Sequence, residues 1–268
     1  MTLVSIGDQV EEGIYPFHSR FHRAVNFRQD DRLVTVVNEE IGDGPLNIVM
    51  RDLHAGQIQK PLEISDGKVV FEGREHRFTH RHRYRSTLES GAAGSPCFRH
   101  NLSWFGELLQ TTSHPKSLAF LLNDKRTQNF RSGFERAFAK HAKRSVSQIF
   151  HGDRLNGVQT LSGCGLGLTP SGDDFIAGLL IGLHLRGENT DDVFEAARSD
   201  NIFSSTFLDL ARRGQIFGRM KDLILALRHD GEDGVRRCAE RLFAVGGSSG
   251  ADLGTGFFMT LRNGFGAS

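Results

Sequence analysis

The segment Ser162–Leu183, SGCGLGLTPSGDDFIAGLLIGL, places hydroxyls, glycines and two adjacent carboxylates directly before an apolar run. A helix start presents unpaired amides and a positive dipole end worth roughly half a charge. Gly163, Gly165 and Gly167 ahead of it permit positive φ and bare further amides, the make-up of an anion nest. Asp173 and Asp174 in the same turn would repel a bare phosphate unless they hold a cation or a substrate N–H. The residue types therefore suit a small anionic ligand that also carries amide donors, or an anion together with Mg²⁺. No Lys follows the glycines, so the spacing is not that of a Walker phosphate loop.

The same turn recurs near the C-terminus. SGDDFIAGLLIGL, from Ser171, aligns without gaps to SGADLGTGFFMTL, from Ser249. Ser171 matches Ser249, Gly172 matches Gly250, Asp174 matches Asp252 and Gly178 matches Gly256. An architectural account is available. S-x-x-D before an apolar run is a capping box, and Thr169 with Pro170 offers a second cap solution. Gly178 with Gly182, and Gly256 with Thr260, are small residues four apart that let two helices approach closely. A cap explains neither the three leading glycines nor the second aspartate, and that excess favours a site.

The elements that position these groups fall into two textures, so the expected class is α+β: a small antiparallel β unit over residues 1–90, then a larger, mostly helical unit over 91–268. RLVTVV and LNIVMR flank Gly42-Asp43-Gly44-Pro45, and QIQKPLEI and KVVF flank Ser65-Asp66-Gly67; both intervals read as hairpin turns. Pro61 marks its run as an edge strand. Residues 86–100 read as a linker. Helical periodicity then runs over 102–111, 117–123, 129–150, 171–185, 191–198, 203–213, 217–228, 234–245 and 249–262. Trp104, Phe130, Phe134 and Phe138 are expected in the core, and Thr206 is read as a cap that could also line a pocket. Arg74–Arg85, with five Arg and three His against one Glu, reads as one charged strand. It is either a patch for an acidic partner or an edge protected by charge.

Composition narrows the function. The formal net charge of +1 provides no general field for nucleic acid or membrane. Three cysteines without a C-x-x-C pair suggest neither a disulfide frame nor a metal site. The N-terminus lacks the features of a signal peptide, and the apolar run at Phe175–Leu185 is about half of the ~20 residues a membrane span needs. A cytoplasmic protein is expected, with no metal ligand set and no cofactor beyond Mg²⁺.

GLGLTPSGDDFIAG resembles the signature of the AllH-like family, and two further segments agree with it. FHSRFHRAVNF (17–27) is similar to that family's N-terminal element, and GGSSGADLGTGF (246–257) to its C-terminal element. Cys164 and Gly247 depart from the residues more usual there. The resemblance implies a subunit of an oxamate carbamoyltransferase of ureide breakdown, moving a carbamoyl group between carbamoyl phosphate and oxamate within a multi-subunit, oligomeric assembly. On that basis Asp173, Asp174 and His18 are the candidate catalytic groups. The ligand-binding candidates are Ser19, Asn26, Gly163, Gly165, Gly167, Thr169, Ser171, Gly172, Ser249, Gly250 and Asp252. Implied partners are a small anionic substrate and the other subunits. Two alternatives stand beside this one: a non-catalytic assembly subunit, and a Mg²⁺-dependent phosphoryl enzyme using Asp173, Asp174 and Asp252.

Overall fold

The computed structural model describes residues 1–56, 58–89, 95–165 and 168–265. They form two compact units, one of 1–87 with 215–221 and the other of 88–214 with 222–268. The class is α+β, strands first and helices after.

Among the described residues the first unit holds ten short strands. They are β1 (Thr2–Gly7), β2 (Gly13–Tyr15), β3 (Phe17–Arg20), β4 (Ala24–Gln29), β5 (Arg32–Val37), β6 (Asn47–Arg51), β7 (Leu62–Ser65), β8 (Lys68–Phe71), β9 (Arg74–Arg77) and β10 (Arg83–Tyr84). One sheet runs β10-β1-β6-β5-β4-β3, the other β2-β7-β8-β9. Alternating burial turns Val25, Phe27, Val36, Ile48 and Met50 of the first sheet and Leu62, Ile64, Val69 and Phe71 of the second into one core. The Phe27 and Phe71 rings meet edge to face at 6.1 Å. The return segment joins this unit: the Gly218 amide donates to Asp43 O at 2.8 Å and the Tyr84 hydroxyl to Ile216 O at 3.0 Å.

Several expectations need correction here. The Ser65–Lys68 pair closes the expected hairpin, with Asp66 and Gly67 at φ of 47° and 73°. The other interval is no hairpin, because β5 and β6 pair in parallel. Asn38 folds 38–42 back on itself, its O accepting from Gly42 N at 3.2 Å and its Oδ1 from Ile41 N at 3.1 Å. Strand β7 is internal, not an edge; Pro61 lies one residue before it and removes no ladder amide. The basic run is not one strand, since β9 ends at Arg77 and Thr79 caps a 3₁₀ turn over His80–His82. Strand β9 is an edge, where its charges discourage further pairing.

The second unit is helical: α1 (Pro96–Thr111), α2 (Gly133–His151), α3 (Arg154–Leu161), α4 (Ser171–Leu185), α5 (Asp191–Ala196), α6 (Ile202–Arg212), α7 (Gly218–His229), α8 (Glu232–Phe243) and α9 (Ser249–Phe265). The first turn of α7 belongs to the β unit. Helix α1 begins inside the expected linker because Ser95 accepts from the Phe98 amide and Pro96 fits the first turn. Gly152 and Asp153 split one expected helix into α2 and α3. Asn201, not Thr206, caps α6. Phe130 is buried as expected, but Phe134 is 62% exposed on the outer face of α2.

Candidate functional site

The apolar character of α4 extends around almost its whole circumference, and it is buried accordingly. Its principal neighbour is α9. A Cβ on Gly178 would fall well inside contact distance of Leu253 O, and one on Gly256 equally so against Phe175 O. Gly182 meets Thr260 one turn further on. Contacts in that order make the two helices parallel, with their N-termini at one end. The approach is reciprocal, so α4 and α9 are related by a local pseudo-two-fold. The turns before them obey the same relation: Gly172 sits against Leu161 O at the end of α3, and Gly250 against Leu242 O at the end of α8. The Gly172 amide donates to Cys164 O at 2.8 Å and the Gly250 amide to Val245 O at 3.1 Å.

This symmetry brings the repeated serines and aspartates together, and they bond across the pair rather than within each turn. Ser171 hydrogen-bonds the Asp252 carboxyl, while Ser249 hydrogen-bonds that of Asp174. Each acid also receives a hydroxyl from its own approach strand, Thr169 for Asp174 and Ser248 for Asp252, the latter at 2.8 Å. The expected Ser171–Asp174 capping box is therefore absent. Pro170 occupies the cap position and Ser171 is already helical.

The two halves differ in one respect. Asp252 is fully buried and has a third donor, the Leu118 amide at 2.5 Å from Oδ1. Asp174 has no equivalent, and its Oδ2 is sealed from solvent without a hydrogen-bond partner among the described residues. Asp173, where the second copy has Ala251, is 2% exposed. Its Oδ1 accepts from Gly163 N at 2.7 Å and Ser162 Oγ at 3.2 Å, while its Oδ2 is likewise unpartnered. Such buried orphan oxygens are uncommon and point to a missing donor.

Electrostatics follow from this crowding. Burial, then repulsion from Asp252, pushes the Asp174 carboxyl up to about 8, against the opposing hydroxyls of Ser249 and Thr169. Burial also raises Asp252, to about 6, held back by the Leu118 amide and the serines. Near neutral pH this favours the protonated form of Asp174.

The glycines have local duties as well. Gly163 and Gly165 take φ of 71° and 122°, and a Cβ on Gly165 would crowd Ser171 N. The Gly163 amide is already donated to Asp173, so it is not bare. Gly167 lies outside the described residues. Among the described residues no group of three or more His, Cys, Asp or Glu is arranged to hold a metal ion. Two open hollows of this unit lie elsewhere, one of about 620 Å³ beside Lys125, Arg136, Lys140 and Lys143 and one of about 460 Å³ at Asp230–Arg237. Neither is lined by a buried unpartnered group, so the paired elbows remain the candidate site.

The N-terminal candidates lie on their own sheet. Ser19 faces Asn26, and Asn26 faces Thr35, in a row across β3, β4 and β5. Thr35 Oγ1 donates to Asn26 Oδ1, and Asn26 Nδ2 to Ser19 Oγ, each at 3.0 Å. Asn26 therefore bonds the side chains on either side of it. His18 occupies a bulge in β3, and its Nδ1 lies 3.0 Å from Ser19 Oγ. A bulge redirects a side chain that simple alternation would send to the opposite face.

Sequence reasoning missed Ser248 and the Leu118 amide as partners of Asp252, and Ser162 as a partner of Asp173. Ser248 and Ser162 are hydroxyls adjoining the two motifs, a signal that was present. Leu118 gave no signal, because its role depends on a backbone amide supplied from a distant turn.

Two family models match the chain. Residues 161–261 match one described as oxamate carbamoyltransferase subunit AllH, and residues 5–91 match one described as the AllH family N-terminal domain. No curated protein and no solved structure matches.

Proposed function

The chain belongs to the AllH family, described as a subunit of oxamate carbamoyltransferase, and from that premise we propose that its paired elbows bind the small polar substrate of a carbamoyl transfer. The observation that carries this reading is the orphaned Oδ2 of Asp174 and of Asp173, buried where two helix N-termini converge. Architecture alone would leave these acids as satisfied as Asp252.

Carbamoyl phosphate and oxamate each join an anion to an NH₂ group. Convergent helix starts favour the anion, and the buried carboxyls favour the amide. In the transfer, the oxamate nitrogen bonds to the carbamoyl carbon, the carbon–oxygen bond to phosphate breaks, and phosphate leaves with its electron pair. The tetrahedral intermediate carries negative charge, which the positive ends of the two helix dipoles would offset. The nitrogen must also lose a proton. Asp173 is the proposed acceptor in this unit, since Asp174 holds its own proton at neutral pH. Gly163, Gly165, Gly167, Thr169, Ser171, Gly172, Ser249, Gly250 and Asp252 form the elbow scaffold. His18, Ser19 and Asn26 are proposed as a separate polar ligand-contacting cluster within the β unit. No resident cofactor is assigned, and the other subunits are the proposed partners.

The test is transfer from carbamoyl phosphate to oxamate by the full chain reconstituted with its partner subunits. Asp173→Asn and Asp174→Asn should each remove turnover while the complex still assembles. A second reading, a non-catalytic assembly subunit, is favoured by the crossed serine–aspartate bonds and the glycine interface, which hold α4 to α9 without any ligand. Undiminished turnover in both variants would select it.

A further inference from the structure

The positive charge of the chain is concentrated on one surface of the helical unit. Residues 124–144 carry seven Lys and Arg against two acids, a local net charge of +5 in a chain whose total is +1. Both acids are already engaged. Asp124 holds Lys143 at 2.7 Å, and Glu135 holds Lys116 at 2.6 Å while closing the capping box of α2. Lys125 and Lys140 form no ion pair among the described residues. With Arg136 and Lys143 they line a hollow of about 620 Å³ formed by α2 and the 3₁₀ turn Asp124–Asn129.

The frame of this hollow is fixed from below. Arg126 reaches from the 3₁₀ turn to the end of α1 and the residues after it, donating to Gln110 O at 2.6 Å, His114 O at 2.7 Å and Ser113 Oγ at 2.9 Å. All three acceptors are neutral, so this guanidinium adds to the local charge as well. Phe130, packed edge to face on Phe120 at 4.9 Å, gives the hollow an apolar floor together with Ala139.

We propose that this basic groove docks an extended acidic segment of a partner protein, one of the other subunits; the inference rests on the subunit reading above and names the surface that reading would use. Charge complementarity asks for an acidic occupant, and the spacing favours a polypeptide. Arg136, Lys140 and Lys143 follow one flank of α2, rising about 6 Å and then about 4.5 Å along its axis. Acids at alternate positions of an extended chain recur every ~6.6 Å, so successive acids reach successive cations. A small anion would meet only one or two of them. A nucleic acid strand would find no exposed ring in the groove on which to stack a base, since the lining aromatic, Phe130, is 5% exposed.

The experiment measures association of the full chain with its partner subunits by analytical ultracentrifugation. Lys125→Glu with Lys140→Glu should weaken it about tenfold or more, and the paired alanine variant should weaken it less, in the same direction. Wild-type affinity should fall as salt is raised from about 50 to about 200 mM. Arg81→Glu with Arg85→Glu makes the same change of net charge in the other basic run and should leave the affinity within about twofold. All four side chains are exposed, so the helical circular dichroism should be unchanged. A fluorescein-labelled peptide of alternating Glu and Val is the direct probe: it should bind the wild type and be lost in the groove variant. Undiminished association in the groove variant, equal loss in both charge-reversed pairs, or a wild-type chain that binds no partner subunit would overturn the proposal. So would tripolyphosphate or oligothymidine bound in the groove as tightly as the peptide. Docking as stated with no carbamoyl transfer by the reconstituted enzyme would instead sink the transferase reading and leave this one standing.

Discussion

Replacing Asp174 with Asn should stabilise the protein near neutral pH, and more so as the pH rises. Asp174 has an ordinary value of 3.8 and is pushed up to about 8 in the fold. A carboxyl raised in this way binds its proton more tightly when folded. Its contribution is therefore most favourable below pH 4 and is lost progressively until the pH passes about 8. From 3.8 to neutrality is a little over three units. At about 1.4 kcal/mol per unit this gives a cost of about 4 kcal/mol at pH 7. Asn removes that cost and retains one carbonyl acceptor for the Ser249 and Thr169 hydroxyls, losing about 1 to 1.5 kcal/mol in weakened bonding. The net effect should be a gain of about 2 to 3 kcal/mol at pH 7 and a loss of about 0.5 to 1 kcal/mol at pH 4. Urea unfolding followed by far-ultraviolet circular dichroism at several pH values from 4 to 8.5 reads it directly. A loss of stability of similar size at every pH would refute the reasoning, because it would mean that Asp174 is an ionised cap.

Other consequences are simpler. Gly178→Ala should cost about 3 kcal/mol or more, since its Cβ would strike Leu253 O and backbone cannot yield as a side chain can; a thermal melt close to wild type would contradict the helix pairing. Phe134→Ser should change stability by less than about 0.5 kcal/mol, whereas Phe120→Ala, at a fully buried site, should cost about 3 to 5 kcal/mol. Glu135 is held down at about 2 by Lys116 and by the amides of Ser132 and Arg131. Its support of the α2 start is fully present above pH 4.5 and lost as the pH falls towards 2, so amide protection factors in that turn should fall in acid well before those of α4 do.

The β-rich runs RLVTVV, LNIVMR and KVVF made the β unit readable, and the 3.6-residue period of α6 and α8 made the helical unit readable, because one-sided burial leaves its period in sequence. What failed was non-local. The parallel pairing of β5 with β6 depends on Asn38 reversing the chain, and local turn residues mimic a hairpin there. Pro61 misled because a one-residue shift moves it from the ladder to its threshold. For the site, the gapless match of Ser171–Leu183 to Ser249–Leu261 and the small residues at 178, 182, 256 and 260 announced a close helix pair. The motif did not reveal that serines and aspartates would exchange partners, since S-x-x-D describes a self-contained cap equally well. Neither did it reveal that Asp174 is neutral, for that depends on Asp252 seventy-eight positions later meeting it across α9.

The most direct measurement is calorimetric titration of oxamate and of carbamoyl phosphate into the full chain with its partner subunits, wild type against Asp174→Asn. The account predicts saturable binding of at least one of them by the wild type, and its loss in a variant whose helical circular dichroism and complex formation are unchanged. Equal affinity in the two proteins would contradict it.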